Sequence, residues 1–531
     1  MRRIAFCCMT VGACLLLSTG QAATWHVRAG EAGDGSQANP FGKIQTAIDA
    51  AASGDAIRVA QGAYAENLRA ISKSLAIQGG WNAAFTERDP AVNVSTIDGQ
   101  RTASCLVYAN CESGELSGFT IVNGSASGPA DSSTSCGGGI YCWYSSPVIT
   151  NNTVHGNHAR AYGGGIFAYG GAPLITGNVI QGNDSGVLVN DCGGGVYVFE
   201  SQGDIIGNMI VDNIGGVTGG GIYCLRCSLA IVGNTIRGNR AQFASGIAGC
   251  ESSLMIGGNS ITGNWAAQLG AGAYLLECSS SVLVGNVIAG NRTDTNGGGV
   301  FLEDSTEIPL INDTIANNEA DNGRAIGCYS HNPAIVSSTT ITNCIIWQTA
   351  ALDNSLVHAW GPATITISYS DIKGGAAAVV GSSTSTITWG EGNIDADPAF
   401  ADSVAGDYHL KSKYGRWDPK SLTWQLDAVT SPCIDAGDPA SSALNEPQPN
   451  FGRVNLGAYG NSPQASKSGW NIPGDADDNC IVNILDLIFI RARLGQSVGS
   501  GTNSKADMNA DGLINILDLI AVRGKLNTRC R

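Results

Sequence analysis

Two stretches near the end of the chain carry oxygen-bearing side chains at the spacing a calcium ion demands. Asp475, Asp477, Asn479, Asn483 and Asp486 stand at positions 1, 3, 5, 9 and 12 of the first stretch. Asp507, Asn509, Asp511, Asn515 and Asp518 repeat the set 32 residues later. Calcium takes six to eight hard oxygens, and a loop of this kind adds the main-chain carbonyl at position 7, here Ile481 and Leu513. Two bound calcium ions are therefore expected. Both copies run into the same string, Asn-Ile-Leu-Asp-Leu-Ile from Asn483 and from Asn515, which a chance Asx-rich turn does not explain. Position 6 is Gly512 in the second copy but Cys480 in the first, where a side chain strains the sharp turn.

Each loop leads into a short apolar helix, expected over Leu487 to Leu494 and Leu519 to Leu526, and no helix precedes either loop. Two such half-hands resemble a type I dockerin module, placed at residues 469–531. The resemblance implies a cohesin-like protein partner. Recognition would lie at loop positions 10 and 11, Ile484, Leu485, Ile516 and Leu517, which are apolar where dockerins often carry hydroxyls. Cys480 and Cys530 are expected to form a disulfide closing the ends of the module.

The body upstream is repetitive. Gly137-Gly138-Gly139 recurs from Gly163, Gly193, Gly219 and Gly297, with weaker copies around Gly246 and Gly272, in steps of about 26 residues. An asparagine column follows each glycine string at Asn152, Asn178, Asn208, Asn234, Asn259 and Asn286, with Asp313 taking the next place. A second column runs five residues later through Asn157, Asn183, Asn213, Asn239, Asn264, Asn291 and Asn318. The runs between these marks are too short and too β-branched for helices. Three short strands cannot bury their own apolar face, so copies must stack about 4.8 Å apart and pair turn on turn.

That pattern is a parallel β-helix, with asparagine amides bonding along the axis at the corners. The strings GGGI and N-x-x-x-GN, with the opening from Trp25 to Glu66, resemble right-handed parallel β-helix proteins of the pectin-lyase-like superfamily. The fold class expected is thus an all-β right-handed parallel β-helix followed by a small all-α calcium-binding dockerin module. Residues 23–391 form the β-helix with its N-terminal cap. Residues 392–468, which include Ser431-Pro432-Cys433-Ile434-Asp435-Ala436-Gly437-Asp438, resemble the closing segment of exported β-helices, expected to cap the open end.

Two aromatic columns follow the glycines. Tyr141, Phe167, Tyr197, Tyr223, Tyr274 and Phe301 form one, and Trp143, Tyr169 and Phe199 the other. With Ile140, Ile166, Val196 and Ile222 inward, alternation points both outward, where exposed rings can stack on sugars and are candidate substrate contacts. A charged column, Glu200, Arg226, Glu251, Glu277 and Asp304, lies five residues after the same glycine. Its last three carboxylates, on successive turns, would repel unless protonated, bound to a cation or contacting substrate. Glu251, Glu277 and Asp304 are the catalytic candidates, since carboxylates about 5 Å apart suit retaining glycoside hydrolysis. The motif set of polygalacturonases is absent, and the periodic region is poor in Lys and Arg. Two readings follow: a carbohydrate-active hydrolase or lyase brought to polysaccharide by its dockerin, or a surface or matrix adhesin using the β-helix as a rod.

Composition bounds the rest. Met1-Arg2-Arg3, the apolar run from Ile4 to Leu17 and Ser18 to Ala22 read as a secretory leader over residues 1–22, too short to span a membrane. Its removal leaves 14 of 17 cysteines, the even number of an oxidised disulfide set in a secreted chain. Cys105/Cys111, Cys136/Cys142 and Cys224/Cys227 lack the histidines that would make them zinc pairs. A net charge of −15, located upstream of the tail, offers no basic stripe to nucleic acid or anionic lipid.

Overall fold

The computed structural model describes residues 22–128, 134–186, 192–349, 355–469, 474–476, 481–496, 506–508 and 512–528. The leader expected over 1–22 lies outside them except for its last residue. Each turn of the body gives one strand to each of three parallel sheets, of 12, 14 and 12 strands. In the turn that begins at Ile166 these strands are Ile166–Tyr169, Leu174–Thr176 and Val179–Gln181. They pair in register with Val196–Phe199, Ile205–Ile206 and Met209–Val211 of the next turn. Alternation turns one residue in two inward, and Ile180, Ile210, Ile236 and Ile261 form one fully buried row of a core that runs the length of the stack. Among the described residues no helix is long and apolar enough to cross a membrane.

The first turn is closed by helix α1, Ile44–Ala50, which buries Ile44, Ala47 and Ile48 against the core. The Glu66 carboxylate accepts the N–H groups of Ile44 and Gln45 at 2.9 and 3.0 Å, satisfying two donors at the start of that helix. The last parallel strand is Thr386–Trp389. Residues 392–468 first lay Ile394 parallel on Asp371 of the last turn, then form two antiparallel hairpins and pack along the flank of the third sheet. Tyr408 and Ala458 pack on Val287, Ala289 and Ala316, Leu456 and Cys433 on Ile345 and Trp347. Asn312 Nδ2 donates to the Asn455 carbonyl at 2.9 Å, and Ala458 N to Thr314 Oγ1 at 2.9 Å.

Both asparagine columns are continuous buried ladders. Asn152, Asn178, Asn208, Asn234 and Asn259 each donate Nδ2 to Oδ1 of the next turn at 3.0–3.1 Å. The second column does the same from Asn157 to Asn318. Every Oδ1 also takes the main-chain N–H of the residue one turn earlier, as Asn178 does from Asn152 N at 3.0 Å. The first ladder ends on an acid: Asn286 donates N–H and Nδ2 to Asp313 Oδ1 at 2.7 and 2.9 Å. Asp313 Oδ2 is buried with no hydrogen-bond partner, and burial pushes the carboxyl up to about 7. The column continues with Cys344, Ser370 and Asn393, whose side chains accept the N–H groups of Asp313, Cys344 and Ser370.

The tail has two helices, α2 (Ile484–Arg491) and α3 (Ile516–Arg523), packed around Val482, Ile490, Ile514 and Val522. They start three residues before the expected Leu487 and Leu519. Asn483 and Asn515, at loop position 9, are N-caps, so the helix begins at position 10.

Asp313 generates a prediction with a definite sign. Its folded carboxyl binds a proton more tightly than the unfolded one, so its contribution is intact below the unfolded value near 4 and is lost as pH rises through about 7. Asp313→Asn completes the ladder with a neutral amide. Chemical denaturation should show the variant more stable by about 1–3 kcal/mol at pH 8, with a flatter pH profile between 5 and 8.

Candidate functional site

The first sheet presents both aromatic columns on its outer face, as alternation requires. The first column stacks tightly: ring centroids are 5.4 Å apart from Tyr141 to Phe167 and from Phe167 to Tyr197, and 5.0 Å from Tyr197 to Tyr223. Outward does not mean exposed, which corrects the expectation that this column meets substrate. Tyr141, Phe167, Tyr197 and Phe301 are at most 5% exposed, and Tyr223 and Tyr274 are half-buried. Cys136, Tyr162 and Cys192, on turns bridged to one another, pack with the rings, with Tyr162 stacked 5.0 Å from Tyr197. Beyond Ala248 the column resumes as Tyr274 and Phe301, 5.7 Å apart.

The second column is the open one. Trp143 is 38% exposed and lies 4.5 Å from Tyr169, which lies 5.0 Å from Phe199. Tyr144, one residue beyond the column, is exposed and joins it: its hydroxyl donates to Tyr169 Oη at 3.1 Å, and Tyr169 donates to Glu200 Oε2 at 3.2 Å. The bond with Tyr144, partial desolvation and Glu200 together push the Tyr169 hydroxyl up to about 12, so it remains a donor. Sequence reasoning missed Tyr144 because it lies in the charged column's place, one turn before Gly170.

That charged column occupies a left-handed turn at each of its residues. Tyr144, Glu200, Arg226, Glu251, Glu277 and Asp304 all have φ between 44° and 52°. Their mutual repulsion is largely relieved. Arg226 reaches Glu251 at 3.0 Å and Glu200 at 3.5 Å, and Asp304 is buried, accepting the N–H groups of His331 and Asn332 at 2.8 and 3.0 Å. Glu277 stands exposed between Glu251 and Asp304 in the column. Glu200, Arg226, Glu251 and Glu277 line an open groove of about 450 Å³ with a row of serines.

In the tail, Asp486 and Asp518 are fully buried and close their loops in the same way. Asp486 accepts Ala476 N at 2.6 Å and Asn483 N at 2.7 Å; Asp518 accepts Met508 N at 2.7 Å and Asn515 N at 2.8 Å. Asp507 Oδ2 accepts Gly512 N at 2.9 Å across the second loop, where Gly512 takes the φ of +84° that a glycine supplies. These hard carboxylate oxygens at loop positions 1 and 12 fit a calcium ion. Asp477, Asn479, Asn509, Asp511 and the pair Cys480/Cys530 lie outside the described residues. Asp475, Ile481, Asn483, Leu513 and Asn515 are described and lie in the two loops. Ile484, Leu485, Ile516 and Leu517 are more than half exposed, and so are Ile488 and Ile520 one helical turn on, which the loop numbering did not single out.

Comparison with known proteins bears on both parts. A model of the right-handed β-helix region matches residues 85–248 and 194–388, more than half the chain. The chain belongs to the right-handed β-helix family. The dockerin type I model matches residues 473–527, so the tail is a dockerin, a class that generally binds calcium. A disaggregatase-related model matches residues 368–437. No curated protein matches the chain. Among solved structures, XylC in complex with xylose is similar with a TM-score of 0.45 and 12% identity, covering 77% of this chain and 93% of that one. Pectate lyase Pel9A is similar with a TM-score of 0.34 and 14% identity, covering 82% and 96%. The catalytic unit of a GH87 α-1,3-glucanase from Streptomyces thermodiastaticus strain HF3-3 gives 0.24 and 11%, covering 68% and 66%. Likeness at this level does not bear on the chemistry of this β-helix.

The oxidised cysteine set expected from an even count is not formed among the described residues. The reason lies in the stack. Cys111, Cys227 and Cys278 occupy an inward turn column whose next place is serine each time: their N–H groups donate to Ser145, Ser252 and Ser305 Oγ. Cysteine there substitutes for serine, and the place next to it in the column is a hydroxyl rather than a thiol. Burial pushes the thiols of Cys105 and Cys278 up to about 12 and Cys227 up to about 11, leaving them protonated and unreactive.

The burial difference between the two columns is directly measurable. Tyr197→Ala should cost about 3–5 kcal/mol in denaturant unfolding, as deletion of a buried ring does. Tyr169→Ala, on the half-buried second ladder, should cost under about 1.5 kcal/mol.

Proposed function

We propose that this β-helix binds polysaccharide along its first sheet while the calcium-loaded dockerin holds it to a cohesin-like partner outside the cell. The observation that carries the reading is the ladder of Trp143, Tyr169 and Phe199, the first exposed and the other two half-buried, edged by the hydroxyls of Tyr144 and Tyr169 and by Glu200, Arg226 and Glu251. Sugar rings have apolar faces that stack on aromatic rings and hydroxyl edges that bond to charged groups. A ladder repeating every turn offers both to successive units of a chain lying parallel to the stack axis. Tyr141, Phe167, Tyr197, Tyr223, Tyr274 and Phe301 then support this surface rather than touch the ligand.

The groove along Glu251 and Glu277 favours a second reading, cleavage of the bound glycan, with Glu277 as the carboxyl free of the Arg226 pair. Asp304 is committed to main-chain donors and serves the turn. The two readings part on turnover. On the non-catalytic reading the β-helix acts as an adhesive rod.

Pull-down on a panel of insoluble polysaccharides should show retention that Trp143→Ala with Tyr169→Ala weakens by about tenfold or more, since each ring is worth about 0.5–1.5 kcal/mol. Retention unchanged in that double variant would sink the binding reading. Reducing ends or unsaturated products that disappear in Glu277→Gln would establish cleavage, and binding without either product would leave the rod. In the tail, Asp475, Asp486, Asp507 and Asp518 with the carbonyls of Ile481 and Leu513 would hold the two ions. EDTA should melt the dockerin helices and leave the β-helix folded, read as loss of helical ellipticity with the strand signal unchanged; calcium-independent helicity would refute it.

A further inference from the structure

We propose that the closing segment, residues 392–468, is a proton-held clasp: it lies docked on the third sheet in mild acid and loosens from it as the medium turns neutral to alkaline. Two kinds of contact dock it. Cys433, Leu456, Tyr408 and Ala458 bring apolar area, and asparagines of two successive turns bring hydrogen bonds. Asn343 accepts Asp438 N on its side-chain oxygen at 2.6 Å, donates Nδ2 to Ser441 Oγ at 3.0 Å and accepts Gly457 N on its carbonyl at 2.8 Å. Asn312 donates to the Asn455 carbonyl at 2.9 Å. None of these hydrogen bonds titrates.

Three carboxyls are built into the same region. Asp371, paired in register with Ile345, is fully buried beneath the segment. Its Oδ1 accepts Ala396 N at 3.1 Å, and its Oδ2 lies 3.0 Å from Cys433 Sγ, a weak donor. The charged groups facing it are Asp395 and Asp397, both carboxylates. Glu446 accepts Asn455 N and Asn461 N on Oε1 at 2.8 Å each, while Oε2 is buried with no hydrogen-bond partner. The charged group facing it is Asp435. Asp435 also buries one oxygen, Oδ1, without a partner. It faces Ser468 and Arg453, but the guanidinium of Arg453 donates to the carbonyls of Gly437 and Ala436.

A buried carboxylate oxygen with neither donor nor cation is far less favourable than the neutral acid, so docking holds these groups protonated. Burial pushes Asp371 up to about 6 and Glu446 up to about 7, and moves Asp435 in the same direction. Released, each returns to the ordinary carboxylate range near about 4. Docking therefore takes up protons. The contribution of these groups is complete below about 4 and is lost as pH rises through about 6 for Asp371 and about 7 for Glu446. Asp407 has the opposite sense: bonded to His409 at 2.6 Å and beside Arg416 at 3.5 Å, it is held below the ordinary range and fails only in stronger acid. The clasp is thus firmest at about pH 4–5. The dockerin follows the segment in the chain, matched from residue 473. Loosening frees the chain beyond the last parallel strand, Thr386–Trp389, and so lengthens the tether between stack and dockerin.

Hydrogen exchange on the full, calcium-loaded chain tests this. Protection factors, which are corrected for the pH dependence of a free amide, should fall at least tenfold between pH 5 and pH 8 in peptides covering residues 431–460. Peptides of the stack such as 166–181 should hold theirs. Asp371→Asn with Glu446→Gln removes both titrations and should keep the pH 5 protection at pH 8. Asp313→Asn, which neutralises the buried acid of the ladder, should leave the fall in place. Equal wild-type protection at the two pH values overturns the proposal, and so does a fall that the double variant retains or that Asp313→Asn abolishes. Where the double variant fails to dock even at pH 5, Glu446→Gln alone decides: it should shrink the fall, and an undiminished fall overturns the clasp.

Discussion

The constraint on which this molecule depends is the pair of buried asparagine ladders at the corners of the stack. Each amide donates to the carbonyl oxygen of the next amide and to a main-chain carbonyl, and its own oxygen takes a main-chain N–H from the turn before. A corner left without such a partner would bury several unsatisfied polar groups, each costing about 1–3 kcal/mol. The requirement is stricter than burial of apolar surface, because it demands that the same atom recur at the same place in each turn. Insertions are therefore taken up in turns that leave the corners in register. The step from Gly246 to Asn259 is 13 residues and that from Gly272 to Asn286 is 14, yet Asn259 still donates to Asn286, and the 30-residue step between Gly163 and Gly193 likewise keeps both ladders.

Strict register has a consequence on the outside. When each turn repeats the backbone of the last, any outward position becomes a column with one residue per turn, and the surface is written in columns rather than patches. Rings in a column stack and stiffen the sheet; charges in a column must alternate or find main-chain donors, as Arg226 and Asp304 arrange. Interruptions then carry the information. Ala248, Gly327 and Val107 are all small residues in one column: Ala248 is buried, and at Gly327 the rings of Phe301 and Trp360 lean over the gap.

This division explains what was legible in the sequence. The period, the three-strand turn, both asparagine columns and the paired calcium loops all depend on spacing, which one chain displays in full. Exposure of the aromatic column was not legible, because Tyr162 and its neighbours in the bridged turn row follow no strong pattern and only the folded chain lays them over Phe167 and Tyr197. The cysteines misled for a related reason. Their even count suggested pairing, whereas in the stack a cysteine in the inward turn column is interchangeable with serine and faces serine. The helix starts moved because Asn483 and Asn515, read as calcium ligands, are also N-caps, a double use that spacing alone does not reveal.

On the proposed reading, the two halves of the chain recognise their surroundings by opposite physical strategies. The dockerin concentrates six exposed aliphatic side chains on two short helices, a compact apolar face whose burial against one partner is proportional to area. The β-helix spreads modest contacts over successive turns of a scaffold whose corners are locked by the ladders. Ordering that surface on binding costs little, since the backbone and the stacked rings are already fixed. A repeating ligand gains from each turn it spans, and the affinity grows with the number of turns engaged rather than with the quality of any one contact. A rigid column therefore suits a polymer, while the small helical tail suits a single protein partner, and the chain joins the two without requiring either surface to change for the other.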